Sequence, residues 1–95
     1  MQFPVVATPA SGTTIRVTVR LFAQYAELVG AQRVGLELPH GATVADAVAR
    51  LRRESPNGRL LPERPLTALN LVQVLQDQLL SDSDELALLP PLAGG

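Results

Sequence analysis

The chain ends at Gly94 and Gly95, a pair that leaves the terminal carboxylate with almost no bulk around it. Glycine has no Cβ atom, so the backbone and catalytic groups of another protein can approach such a carboxylate from any side. Pro90 and Pro91 come shortly before it, and proline has a fixed φ and no N–H group to continue a strand's hydrogen bonds. We therefore expect residues 92–95 to project from the domain as a tail that enters the active site of a partner.

The segment before the prolines, residues 85–89, is an apolar strand. Leu86 and Leu88 fall on one of its faces, while Ala87 and Leu89 fall on the other. A strand that is apolar on both faces is typical of the centre of a sheet. We expect one face to meet the main helix and the other to meet a partner or the short connection.

The composition excludes several classes of function. The chain has 95 residues, a net charge of −1, 46% hydrophobic residues and no cysteine. Without cysteine there is no disulfide, no thiolate nucleophile and no Cys-based metal site, and the weak net charge argues against nucleic acid as a main partner. No apolar run approaches the ~20 residues of a membrane span, so we expect a cytoplasmic protein. The large hydrophobic share predicts that some apolar surface faces a partner.

Two strands and a short helix are predicted in the first half of the chain. Apolar and polar residues alternate over residues 13–21 and again over residues 33–38, as they do in half-buried strands. Residues 22–29 have the spacing of a short helix, and Gly30 follows where a helix-ending glycine belongs. Residues 1–12 show no period, so we predict that they form a flexible extension.

A longer helix is predicted to begin at Thr43. Asp46 stands three residues later, where its side chain can complete a reciprocal cap. Spacings of i, i+3, i+4 and i+7 place four apolar residues on one helix face: Val44, Ala47, Val48 and Leu51. The segment Ser55-Pro56-Asn57-Gly58 is expected to end the helix.

The remainder of the chain is predicted to hold one loop and further strands. Residues 59–67 carry two prolines and are expected to form a loop with one helical turn. Residues 68–75 form a short, partly β-branched apolar run, which favours a single strand. A very short strand at residues 79–80 precedes an acidic turn at 81–84, whose spacing lacks the loop glycine and the distal glutamate of an EF-hand.

This order of elements predicts an α+β fold in which a mixed sheet packs on one main helix. If the first and last strands lie parallel and side by side in the centre, the fold is the ubiquitin-like β-grasp. The predicted domain covers residues 13–91, between the extension at residues 1–12 and the tail at residues 92–95.

Four parts of the chain resemble the small subunits of molybdopterin synthase, which are ubiquitin-like sulfur carriers. They are residues 21–30 (LFAQYAELVG), the helix start at Thr43-Val44, Asn70, and residues 84–95 (DELALLPPLAGG). The likeness covers residues 14–95. Two features depart from the family: Leu88-Leu89 stand where phenylalanines are common, and residues 1–12 have no counterpart.

The resemblance implies that Gly95 is the reacting group of a non-catalytic sulfur-carrier subunit. In that family an adenylating enzyme uses ATP to activate the terminal carboxylate, and a sulfur donor protein converts it to a thiocarboxylate. The large subunit of the synthase then accepts the tail, in an expected two-by-two heterotetramer, and the carrier itself binds no cofactor. The residues implied to bind partners are Leu88, Leu89, Pro90, Pro91, Leu92, Ala93 and Gly94.

Two alternative functions remain open at this point. A sulfur carrier for thiazole synthesis or tRNA thiolation would share the terminal chemistry but serve another acceptor, although thiazole carriers tend to lack the Pro90-Pro91 pair. The other alternative is a protein modifier or a noncovalent β-grasp interaction module. In a noncovalent module the exposed sheet face would bind the partner, and the terminus would be dispensable.

Overall fold

A computed structural model describes residues 14–91 of the protein, so the predicted extension and tail, residues 1–12 and 92–95, lie outside the described residues. Within the described part, no helix is long and apolar enough to cross a membrane. The elements in chain order are β1 (Thr14–Leu21), α1 (Ala23–Val29), β2 (Arg33–Pro39), α2 (Val44–Glu54), a 3-10 turn (Gly58–Leu60), β3 (Leu66–Leu69), β4 (Val72–Val74) and β5 (Glu85–Leu89).

The five strands form one mixed sheet in the order β2-β1-β5-β3-β4. β1 and β5 pair in parallel, whereas the β1–β2, β3–β5 and β3–β4 pairs are antiparallel. The first and last strands therefore lie side by side and parallel within the sheet, which is the condition for a β-grasp fold. The predicted β-grasp fold is confirmed.

The core lies between α2 and the inner face of the sheet. The four residues of the predicted apolar stripe on α2 are all buried. They pack in one cluster with inner-face residues of the central strands: Val17, Val19, Leu21, Leu86 and Leu88. Burial of each such side chain contributes roughly 1.5–3 kcal/mol. Tyr25 of α1 joins the cluster, and its burial raises the pKa of the phenol, which stays neutral at neutral pH.

The predicted cap of α2 is present. The backbone N–H of Asp46 donates to Thr43 Oγ1 over 3.3 Å, and the N–H of Thr43 donates to Asp46 Oδ2 over 2.9 Å. Gln76 and Gln78 cover the same helix end: the carbonyl of Gln78 accepts from the N–H of Val44, and that of Gln76 accepts from the N–H of Ala45. Leu79 makes an isolated antiparallel β-bridge with Thr43. The short strand predicted at residues 79–80 is therefore a single bridge that holds the residue before α2.

The prediction of a single strand over residues 68–75 is wrong. The chain reverses at Asn70 and Leu71, whose φ angles are 49° and 77°, and β3 and β4 form an antiparallel hairpin around them. Two-residue hairpins favour positive φ at both central positions, because that twist matches the twist of the strands. Leucine rarely adopts this conformation, so the apolar run concealed the turn.

Candidate functional site

The chain leaves the sheet at the end of β5, the strand that leads to the predicted tail. β5 is held on both sides, since Leu88 lies opposite Leu21 of β1 and Leu89 lies opposite Leu66 of β3. Beyond Leu89, Pro90 is half-buried and Pro91 is exposed. The central ladder therefore fixes the position from which the last residues start.

The predicted partner-binding residues of β5 divide into two groups. The side chain of Leu88 is 0% exposed and belongs to the core, so the expectation that it contacts a partner is corrected. Leu89, Pro90 and Pro91 are at least partly accessible, and their role stays a prediction. The remaining predicted site residues lie outside the described residues: Leu92, Ala93, Gly94 and Gly95.

Asn70 anchors the start of β5 to the β3–β4 hairpin. Its side-chain Oδ1 accepts from the N–H of Glu85 over 3.0 Å, and its Nδ2 donates to Asp84 Oδ1 over 2.9 Å. Its own N–H donates to the carbonyl of Glu85 over 2.9 Å. These three bonds use the side chain and backbone of one turn residue to set where the central strand begins.

The acidic turn before β5 is also structural. Asp82 Oδ1 accepts from the N–H of Arg16 over 2.8 Å, and Asp84 Oδ2 accepts from the N–H of Ser81 over 2.7 Å. The carboxylates thus hold main-chain donors of this turn and of β1. Among residues 14–91, no group of three side chains is placed to hold a metal ion.

An apolar strip lies on the outer face of the sheet, opposite α2, where β3 and β5 pair. Leu66 lies across from Leu89, and Ala68 lies across from Ala87. Leu66 is 47% exposed, and the other three residues of the apolar strip are half-buried. The sequence predicted an outer apolar face for β5, but it missed the β3 half, because Leu66 was assigned to a loop.

The outer face of β1 carries charge where the apolar strip ends. Glu85 Oε2 lies 3.3 Å from Arg33 Nη1 and 3.8 Å from Arg20 Nε. The guanidinium carbon of Arg20 is also 5.2 Å from the centre of the Phe22 ring, a cation–π contact. Phe22 follows β1 directly, beside the end of β5, and is partly exposed. Phe22 falls within the helix predicted over residues 22–29, but in the structure it precedes α1, which begins at Ala23.

The site therefore offers binding surface around an emerging chain end. The apolar strip and Phe22 provide apolar contact, and Arg20 and Arg33 provide positive charge that Glu85 partly neutralises. These side chains can bind a partner protein and orient it relative to the end of β5. The group predicted to do covalent chemistry is the carboxylate of Gly95.

The ThiS family model matches residues 19–95, from the middle of β1 to the last glycine. The chain belongs to the ThiS family. Molybdopterin synthase sulfur carrier subunits are similar to this ThiS-family chain. That of Arabidopsis thaliana is 29% identical over 83 residues, which are 87% of this chain and 86% of the relative. That of Chlamydomonas reinhardtii is 31% identical over 83 residues, which are 85% of this chain and 100% of the relative.

Solved structures of ThiS-like proteins agree with this fold. Small archaeal modifier protein 1 of Haloferax volcanii superposes with a TM-score of 0.73 at 28% identity, over 82% of this chain and 99% of that one. A putative molybdopterin converting factor, subunit 1, from Pyrococcus furiosus gives a TM-score of 0.72 at 25% identity, over 82% and 99%. The resemblance to ubiquitin-like sulfur carriers is confirmed.

Proposed function

We propose that this chain is the sulfur carrier subunit of a molybdopterin synthase and that the carboxylate of Gly95 carries the sulfur. The proposal rests on the family match, which runs through Gly95, and on the two relatives that are molybdopterin synthase sulfur carrier subunits. The exposed Pro91 at the end of a firmly held β5 supports it, because a tail that starts there begins outside the core.

Activation of the terminus comes first in the proposed reaction. A carboxylate is a poor electrophile, since its oxygens are poor leaving groups. In the activating enzyme a carboxylate oxygen of Gly95 attacks the α-phosphorus of ATP, and pyrophosphate leaves. A sulfide equivalent from the sulfur donor protein then replaces AMP at the acyl carbon, which leaves a thiocarboxylate. The nucleotide is bound by the activating enzyme, and this chain holds no cofactor.

Sulfur transfer takes place in the large subunit of the synthase. The tail enters its active site, where the thiocarboxylate gives sulfur to a cyclic pyranopterin precursor of the dithiolene. Two sulfurs require two carriers, which fits a two-by-two heterotetramer. The acids and bases of this step belong to the large subunit, so the chain acts as a covalent co-substrate.

We further propose that the apolar strip and Phe22 bind the large subunit. They border the end of β5, so the surface that holds the partner is continuous with the residues that deliver the tail. Leu66 is a large apolar side chain with 47% of its surface exposed, and removing such surface from water favours association. Pro90, which is half-buried and follows Leu89, continues the same surface along the chain.

A protein modifier is the second candidate, favoured by the structural similarity to small archaeal modifier protein 1. Such a modifier would need the same activation of Gly95 but would pass its acyl group to an amine instead of passing sulfur to a pterin. The two candidates differ in the product: a carrier is released with its carboxylate restored, whereas a modifier becomes joined to its target.

Deletion of Gly94 and Gly95 tests the proposal. The truncated chain should fold as the full chain does, since the deleted residues follow the exposed Pro91, but molybdopterin formation with the large subunit, activating enzyme, ATP and sulfur donor should be abolished. The matched control deletes Gln2 and Phe3, which lie outside the family match, and should keep full activity. Normal molybdopterin formation by the truncated chain would refute the proposal.

A further inference from the structure

β2 is an edge strand whose outward backbone groups can be identified from its register with β1. The N–H of Leu21 donates to the carbonyl of Gln32 over 2.9 Å. In an antiparallel pair the direction of the backbone groups alternates, so every second residue counted from Gln32 directs its N–H and C=O toward β1. The residues between them direct theirs away from the sheet: Arg33, Gly35 and Glu37.

The outward-facing N–H and C=O groups of Arg33, Gly35 and Glu37 form a row, and most of this row is exposed at the sheet edge. Within residues 14–91, Arg50 of α2 reaches it, where Nη1 donates to the carbonyl of Glu37 over 3.0 Å. A groove of about 530 Å³ runs beside the strand, bordered by Gly35, Glu37, Arg50 and Glu54. An edge strand with unpaired N–H and C=O groups is a template for the addition of another strand.

Gly35, at the middle of the row, has no evident role in the packing of the described chain. No heavy atom lies within 4 Å of a Cβ atom built on it, and its φ is outside the left-handed region. Neither a close contact nor the backbone conformation therefore requires glycine here. A missing side chain on an exposed edge does, however, let a second backbone come close.

We propose that β2 pairs with β2 of a second copy of this chain, antiparallel and centred on Gly35. In this register Gly35 faces Gly35, and the outward N–H and C=O groups of the three residues pair across the two copies. The carbonyl of Glu37 then accepts a second hydrogen bond besides the one from Arg50. Arg33 of each copy then lies opposite Glu37 of the other on the outer face, while Val34 lies opposite Leu36 on the inner face. The outer face of the strand is therefore complementary to itself in charge, whereas Leu36 is already buried in its own core and adds little to the contact.

The side chains that form the charge pairs are accessible. The side chain of Arg33 is 62% exposed, although it also pairs with Glu85, and Glu37 is exposed. The added contact covers one strand edge, which is small for a protein interface, so the dimer should be weak and transient. β1 separates β2 from β5, the strand that leads to the tail, so the inference does not depend on the proposed function.

A charge-exchange experiment on the full chain tests this inference by sedimentation equilibrium. The unmodified chain should show a concentration-dependent dimer. Arg33→Glu alone puts two carboxylates opposite each other at both charge pairs, and Glu37→Arg alone puts two guanidinium groups there. Each variant alone should dimerise at least about 10-fold more weakly than the unmodified chain. An equal mixture of the two variants should dimerise again, because every pair then has opposite charges.

Recovery in the mixture separates a direct contact from loss of folding, since a misfolded variant would not recover. Circular dichroism of each variant checks the fold independently. A monomer at millimolar concentration, single variants that dimerise as well as the unmodified chain, or a mixture that stays monomeric would each overturn the inference. So would a dimer that is lost on Leu89→Glu and unaffected by the charge variants, because it would use the apolar strip.

Discussion

The two faces of β5 carry similar residues but differ in exposure. On the inner face, Leu86 and Leu88 are fully buried in the core formed with α2. On the outer face, Ala87 and Leu89 are half-buried and belong to the apolar strip. Neighbouring leucines therefore have separate roles: one face holds the strand in the domain, and the other is available to a partner.

The outer face of β1, unlike that of β5, is polar. Its residues are polar or charged: Thr14, Arg16, Thr18 and Arg20. β1 thus follows the usual pattern of a strand with one buried face and one face toward water. Among residues 14–91, the outer face of the paired strands β3 and β5 is instead apolar, close to the end of β5. This local departure is the feature on which the proposed partner contact rests.

The largest expected effect is loss of stability on the inner face. Leu88→Ala removes a fully buried side chain and leaves a cavity, so the free energy of unfolding should fall by about 2–5 kcal/mol. Leu89→Ala, on the half-buried outer face, should lower it by roughly 1 kcal/mol or less. Urea denaturation of both variants measures the difference. Equal losses would contradict the assignment of the two faces.

The next effect is loss of partner binding on the outer face. Leu89→Glu places a charge on the apolar strip, and affinity for the large subunit should fall about 10- to 100-fold, since a desolvated, unpaired charge is costly. The matched control is Leu75→Glu, at an apolar side chain that is 75% exposed and borders α2 on the other side of the sheet. Titration calorimetry with the large subunit should show little change for the control. Similar losses for both variants would argue against the apolar strip as the contact.

A smaller effect is expected where β5 begins. Asn70→Ala removes two side-chain hydrogen bonds to residues 84 and 85 and places a less suitable residue at positive φ, so stability should fall by about 1–3 kcal/mol. The control is Leu71→Ala in the same turn, where the leucine is 89% exposed and loses little contact. Thermal unfolding compares the two. A loss at Leu71 as large as that at Asn70 would show that the turn, and not its link to β5, stabilises the strand.

Much of this fold could be predicted because local patterns and tertiary structure agree. Three patterns each fit a single structure, and the structure confirms all three. They are the alternation in β1 and β2, the cap formed by Thr43 and Asp46, and the apolar stripe of α2. The central position of β5 also agrees with the sequence, since a strand that is apolar on both faces belongs inside a sheet. Its parallel pairing with β1 was the condition for the β-grasp fold, and the structure meets it.

The errors arose where one pattern fits two structures. A run of apolar residues at 68–75 is compatible with one strand or with a hairpin, and a leucine at positive φ gives no warning of a turn. Pro62 and Pro65 shortly before Leu66 favour a loop there, although β3 begins at Leu66 and forms half of the apolar strip. Leu88 and Leu89 are the same residue type, and the family resemblance implies a partner contact for both, although alternation along the strand buries Leu88.

The central claim, that Gly95 carries the sulfur, can be tested directly by the intact mass of the protein. After incubation with the activating enzyme, ATP and the sulfur donor, the full chain should gain the mass of one sulfur in exchange for one oxygen. Fragmentation should locate that change at Gly95, and the chain that lacks Gly94 and Gly95 should remain unchanged. An unmodified terminus in the full chain, or sulfur found on another residue, would contradict the account.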